Sequence, residues 1–244
     1  MTYSILARDS KTGEIGLAST TVSLAVGGLL PFFSRNGSIA ISQAYALPSL
    51  GRVMAEELDA GRSLTEAIEA AKNTDPHIEF RQLAILSPDG EFVVHSGSTC
   101  RPWTGDLRGK DCLACGNVLA GQEVLTAMVK AFEEREGESL AERLICALEA
   151  GRDAGGQTAN GRHLRERSAS VLVKKSLHEA PVDLRVDVSE TAVEDLRRAK
   201  MAVDFSEPYV SVRASEPEKC PSVVDFEAGL DLPTWFPRAL ESSN

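Results

Sequence analysis

The chain is poor in aromatic residues, in basic residues and in long apolar runs, and each shortage narrows what it can be. Phe, Trp and Tyr make up 5% of 244 residues while 43% are apolar, so any core is built mainly from aliphatic side chains. With 25% charged residues besides, the composition is that of an ordinary folded protein rather than a disordered or fibrous one. Lys and Arg total 26 against 36 Asp and Glu, giving a formal charge of −10. Such a field repels polyanions, which argues against nucleic acid as a partner. The most apolar stretch, residues 24–33, is interrupted by Gly27, Gly28 and Pro31 and falls well short of the roughly 20 residues a membrane-spanning helix needs. Met1 leads directly into a strand-like run with no basic stretch and apolar block before it, so a cytoplasmic chain with no membrane partner is expected. Five cysteines, an odd number, suit a reducing compartment without disulfides.

Residue patterning along the chain predicts strands at Tyr3–Arg8, Ile15–Thr21 and Ser38–Gln43, the first two joined by a turn over Asp9–Glu14. From Leu50 the apolar spacing turns helical, with a break at Gly61 and a capping box of Ser63 and Glu66 opening a second helix. Strands follow at Gln82–Leu86 and Glu91–His95 around Ser87-Pro88-Asp89-Gly90, with another near Leu113. Val118–Arg135 reads as a helix, and Ser139 with Glu142 opens one that ends near Gly151. Arg167–Lys174 and Leu184–Val188 read as strands and Thr191–Val203 as a helix. Blocks of strands alternating with helix pairs imply an α+β fold of stacked sheets covered by helices, spanning residues 1–204. Beyond Asp204 five prolines and no sustained period predict an extended C-terminal arm over residues 205–244. Its Val223, Phe226, Leu230, Trp235 and Phe236 need cover, either on the chain's own body or against a second subunit in a homodimer.

The opening Thr2-Tyr3-Ser4-Ile5-Leu6-Ala7, a turn, then Gly16-Leu17-Ala18-Ser19, resembles the first hairpin of the N-terminal nucleophile (Ntn) hydrolases. More closely, Thr2-Tyr3-Ser4-Ile5, Ala7-Arg8-Asp9, Thr12-Gly13, Gln43-Ala44, Pro102-Trp103-Thr104-Gly105 and Gly116-Asn117-Val118-Leu119-Ala120-Gly121 resemble the bacterial family domain of unknown function 1028 over about residues 2–200. That resemblance implies a four-layer αββα sandwich of Ntn-hydrolase type. It brings no established activity with it, and fold alone does not fix function.

The resemblance puts Thr2 at the tip of the first strand. Removal of Met1 would leave a threonine with a hydroxyl nucleophile and an α-amine of ordinary pKa about 7.7–8.0 as its base. The bland alternative is an ordinary strand start. By the same resemblance the Ala44 amide and the Gln43 side chain would hold an oxyanion and Ser19 would orient the terminal group. Tyr45, Trp103, Asn117, Asp153, Gln157 and Arg167 are the expected contacts of a small-molecule ligand, the last three from a glycine- and arginine-rich loop whose guanidinium groups suit carboxylates. Against the resembling family, Gln157 stands for an expected Asp, Leu47 for an Asn and Asp106 for a His.

No cofactor or metal is expected. Cys112-Leu113-Ala114-Cys115 has the spacing of a zinc half-site or a redox dithiol, but no second ligand pair follows, and on a strand the two thiols would face opposite sides. Plain buried thiols are the third reading. His77, His95, His163 and His178 are scattered without ligand spacing, and the glycine pairs carry neither a phosphate-loop lysine nor a dinucleotide register.

Overall fold

The computed structural model describes residues 1–174 and 181–240, which leaves His178 outside the described residues. In chain order the elements are β1 (Thr2–Arg8), β2 (Ile15–Thr21), α1 (Val26–Leu29), β3 (Pro31–Phe33), β4 (Ile39–Ala44), α2 (Pro48–Asp59), α3 (Leu64–Thr74), β5 (Arg81–Leu86), β6 (Phe92–Ser96), β7 (Thr104–Gly109), β8 (Cys112–Asn117), α4 (Gln122–Glu133), α5 (Leu140–Asp153), β9 (Gln157–Ala159), β10 (Arg162–Leu164), β11 (Ser168–Lys174), β12 (Val182–Val186), α6 (Ala192–Ser215) and α7 (Val223–Ala228). The fold is α+β and its sheets are antiparallel. One sheet runs β12-β11-β2-β1-β8-β7 and a second runs β3-β4-β5-β6, with β9 and β10 forming a separate ribbon.

Residues 1–196 form one compact unit. Because side chains alternate across a strand, each sheet has two faces to bury. Tyr3, Ile5 and Ala7 of β1, with Ala169 and Val171 of β11, pack against Leu125, Met128 and Phe132 of α4 and Leu144 and Leu148 of α5. The opposite residues, Leu6, Leu17 and Leu113, meet Ile39, Ile41, Ala84 and Leu86 of the second sheet. The second sheet's other face, with Ala40, Leu83 and Ile85, is covered by Leu50, Met54 and Leu58 of α2 and Ala67, Ile68 and Ala71 of α3. Each fully buried large side chain contributes about 1.5–3 kcal/mol, and three contiguous clusters of them supply the drive for this stacking. The helix starts are marked as the sequence implies. Ser63 and Glu66 form the reciprocal capping box of α3, and Ser139 accepts from the Glu142 amide at the start of α5.

Several expectations are corrected. The helix expected from Val118 begins only at Gln122, because Val118 adopts a left-handed φ of 60° and Leu119 bridges to Gln157 instead. The last helix does not stop near Val203. As α6 it continues through Pro208 to Ser215, and the segment taken as an extended arm includes α7 as well. A proline inside a helix removes one backbone hydrogen bond, typically at a cost of about 3 kcal/mol. Here Tyr209 meets Phe226 at 5.1 Å between ring centroids and Phe205 meets Phe236 at 6.0 Å, which ties the later segment onto this half of the helix. Those contacts lie within the second compact unit, from Arg197 on. Phe226 and Phe236 find partners there, while Val203, Val210 and Val223 remain exposed. Three-residue β3, β9 and β10, and the six-residue β7, were not legible as strands. Among the described residues no helix is long and apolar enough to cross a membrane.

The link between β6 and β7 matters for the site. Gly97 donates to Arg81 O at 2.9 Å and Thr99 to Glu79 O at 2.8 Å, so the chain runs against the Glu79 backbone. A Cβ on Gly97 would stand 2.4 Å from the Glu79 carbonyl. Gly97→Ala is therefore expected to lower stability by about 1–3 kcal/mol, measured as a shift of the urea unfolding midpoint. An unchanged midpoint would show that this link is not seated as described.

Candidate active site

The space between the two sheets changes character along the strands. Where Leu6, Leu17, Leu113, Ile41 and Ala84 meet, it is apolar. Two residues further on, toward the start of β1, the same faces carry Ser4 opposite Ser19 and Cys115, with Gln43 opposite Gln82 on the facing sheet. Beta11 follows the same gradient, with Leu172, then Ser170 opposite Ser19, then Ser168 opposite Thr21. The last position holds Thr2, opposite both Thr21 and Asn117.

Buried polar groups of this number must satisfy one another. Ser19 donates to Ser4 at 2.8 Å, and Ser4 donates to Gln43 Oε1 at 2.8 Å. Gln43 Nε2 donates to Gln82 Oε1 at 2.8 Å, and Asn117 Nδ2 donates to the same oxygen at 3.1 Å. Gln82 Nε2 in turn donates to Ser96 Oγ at 3.0 Å and Gly105 O at 3.1 Å. The chain thus crosses from one sheet to the other and returns.

Thr2 is buried, 5% exposed, at the end of this network. Its hydroxyl donates to Thr21 Oγ1 at 3.3 Å, and the Thr21 hydroxyl donates to Met1 O. The Met1 amine donates to Ala44 O at 3.4 Å. Beside it lies a cavity of about 200 Å³ lined by Met1, Ser23, Ala44, Tyr45, Arg101, Asn117 and Val118. Ala44 (φ 74°) and Val118 (φ 60°) both sit in the left-handed region that non-glycine residues avoid, a cost of about 1–3 kcal/mol each that concentrates at functional sites. The Met1 amine is pushed down from 8.0 to about 6, first by burial and then by the positive charge of Arg101. Asn117 Oδ1 is buried with no hydrogen-bond donor among the described residues, and Gln157 Oε1 likewise.

The residues singled out from sequence separate into two groups. Ala44, Tyr45 and Asn117 line the cavity, Thr2 lies behind Met1 and pairs with Asn117 without lining it, and Gln157 Nε2 donates to Asn117 O at 3.1 Å. Ser19 and Gln43 are nearby but committed to Ser4 and Gln82, so neither reaches Thr2 in this arrangement. Trp103 packs against the cluster under α4 and α5. Asp153 is exposed and paired with Arg152 at 2.8 Å, and Arg167 is exposed, holding Thr21 O through its own amide at 2.8 Å. None of these three lines the cavity. Leu47, where the resemblance implies Asn, is the N-cap of α2 without a side-chain cap, and it packs on the neighbouring core instead. Cys112 and Cys115 face opposite sides of β8, as the strand reading requires, and burial drives both thiols up, Cys112 to about 12.

Sequence reasoning missed Thr21 and Arg101. Thr21 was available: a hairpin closed by Asp9 donating to Glu14 O pairs residue 2 with residue 21, two places beyond Ser19. Arg101 directly precedes the Pro102-Trp103-Thr104-Gly105 stretch but is not part of it, and the fold brings it to the cavity beside Met1.

An α+β protein whose first strand begins beside a cavity at the strand ends of two antiparallel sheets is the class these observations define. The model of DUF1028, a family of unknown function, matches residues 2–196, and the chain belongs to that family. It is similar to the crystal structure of protein SPO2555 from Silicibacter pomeroyi, also described as DUF1028, with 29% identity and a TM-score of 0.74 over 83% of this chain and 85% of that one. No curated protein matches.

Two outcomes follow from this geometry. Gln82→Met leaves the Asn117 amide without its acceptor and the Gln43 amide with only the Cys115 sulfur at 3.4 Å, and unfolding should show a loss of roughly 1–3 kcal/mol; a neutral result would mean that the network is not closed as described. In chain that retains Met1, the Met1 amine, followed by NMR with methionine labelling, should titrate near pH 6. Its folded value lies below the unfolded one, so between about pH 6 and 8 the unfolded chain holds more protons and stability rises with pH across that window. Arg101→Gln should raise the value yet leave it below 8.0, since burial is the larger cause.

Proposed function

We propose that this protein is an Ntn-hydrolase-like amidohydrolase with a four-layer αββα core, cleaving a C–N bond of a small polar metabolite with Thr2 as nucleophile once Met1 is removed. The observation that carries the reading is the position of Thr2: first residue of a central strand, buried, and flanked by a cavity whose wall includes both Met1 and the cross-strand partner Asn117. Loss of Met1 would extend that cavity to the Thr2 nitrogen and release the Thr21 hydroxyl from Met1 O. Asn117, the cross-strand partner of Thr2, carries a buried Oδ1 that lacks a donor among the described residues.

In this mechanism the Thr2 hydroxyl oxygen attacks the amide carbon while its proton passes to the Thr2 α-amine. The C–N bond then breaks and the leaving nitrogen takes that proton, so an ester to Thr2 remains. Water attacks the ester, the α-amine accepting its proton, and returns the hydroxyl as the acid product leaves. Gln43, held by Ser4 and Gln82, would brace the oxyanion region rather than donate to it. A second reading, a catalytically silent binding protein, is favoured by Met1 itself, held by its amine donating to Ala44 O, because while it is present the Thr2 nitrogen is a peptide nitrogen and cannot act as a base.

The two readings separate on the native chain. Intact-mass measurement should find Met1 absent, and an activated-ester acyl probe should label the chain with the adduct mapped to Thr2. Thr2→Ala should lose the label entirely. Retention of Met1 in all molecules, or equal labelling of Thr2→Ala, would refute the hydrolase reading.

A further inference from the structure

Arg101 stands out among the charged groups around the cavity. Its neighbour Arg81 is fully engaged, with Nε donating to Asp75 Oδ2 at 2.8 Å and Nη1 to Tyr45 O. Arg101, by contrast, is exposed, and its guanidinium has no hydrogen bond or ion pair among the described residues; it lies over the Tyr45 ring, 5.6 Å from the guanidinium carbon to the centroid. Its backbone is fixed all the same, because Arg101 O accepts from Val118 N at 3.2 Å and from the Thr104 hydroxyl. An aromatic face below a guanidinium orients the plane and leaves its N–H groups free at the edge.

The surroundings of this group set the sign and size of what it would hold. No carboxylate lines the cavity, although the chain as a whole carries a formal charge of −10. Arg101 is the one lysine or arginine side chain in the wall there. A single planar cation matches a singly charged, planar anion through two parallel hydrogen bonds, which is the geometry of a carboxylate. A phosphate dianion would bring twice the charge that the wall offers.

We propose that Arg101 makes this cavity a site for small molecules bearing a carboxylate, the guanidinium gripping that group while the rest of the ligand lies toward Asn117 and the first residue. As a statement about substrate, this rests on the hydrolase reading and specifies it: the scissile amide belongs to a carboxylate-bearing compound such as an N-acyl amino acid. As a statement about binding, it stands on the cavity alone.

The test uses the full chain carrying Thr2→Ala, so that no turnover intervenes, and two probes of equal shape, N-acetylglycine and its neutral amide N-acetylglycinamide, titrated by NMR at low salt. The acid should bind at least tenfold more tightly than the amide, and Arg101→Gln in the same background should bring the two within about twofold without changing the melting temperature. Absence of acid binding, a ratio near one, or a preference that survives Arg101→Gln would overturn the proposal. Acyl labelling of Thr2 in the unmodified chain reports separately. Labelling with no acid preference removes the carboxylate grip and leaves the hydrolase, whereas an acid preference without labelling leaves a binding site and removes the hydrolase.

Discussion

The amide oxygen of Gln82 is the point on which the inter-sheet arrangement turns. It accepts from Gln43 on its own sheet and from Asn117 on the other, and so, with the Ser4–Gln43 bond, joins two layers that farther along meet through apolar side chains. Aliphatic contacts are non-directional and tolerate sliding, while a closed set of buried hydrogen bonds does not. The relative register of the two sheets at the Thr2 end is therefore specified by polar groups, and the apolar half of the interface supplies the drive for association. A network of this kind is useful only when complete, since each unpaired buried amide costs about as much as a good hydrogen bond gives.

The same gradient explains why a cavity forms where it does. Serine and threonine on β1, β2 and β11 are too small to fill the space that leucine fills farther along, and the paired glutamines hold the sheets at a set distance. The strand tips then leave room that Met1, Tyr45 and Arg101 border without closing. Ala44 and Val118, each with a left-handed backbone, turn the chain away at the ends of β4 and β8, so two strands from different sheets stop at one opening. Strain at those turns is held by the packing around them.

Much of the body was legible because its signals are local. The β1–β2 hairpin, the Ser63 and Ser139 helix starts and the turn before β6 each rest on residues within a few places of one another. The losses came where distant contacts overrule local preference. Val118 has the residues of a helix start but is diverted by Leu119 pairing with Gln157, and Pro208 is carried inside a helix that aromatic neighbours from the following segment cover. Three-residue strands such as β3 and β9 have too short a period to read. Around the cavity, Tyr45 and Asn117 were singled out through motif resemblance and Arg101 was not, since it stands just outside the Pro102-Trp103-Thr104-Gly105 stretch and reaches the cavity only through the fold. Trp103, Asp153 and Arg167 show the converse: suggestive chemistry that the fold directs elsewhere.

Beta8 places the Cys112 sulfur beneath the helices and the Cys115 sulfur between the sheets, three residues apart along the chain yet separated by the thickness of the strand layer. Burial keeps both protonated, the form that does not react. An alkylating reagent can reach the pair only when the layers part, and it must then meet each thiol through a different opening. The two sulfurs are thus built-in reporters of which side of the sheet opens first, readable from the order in which they are modified.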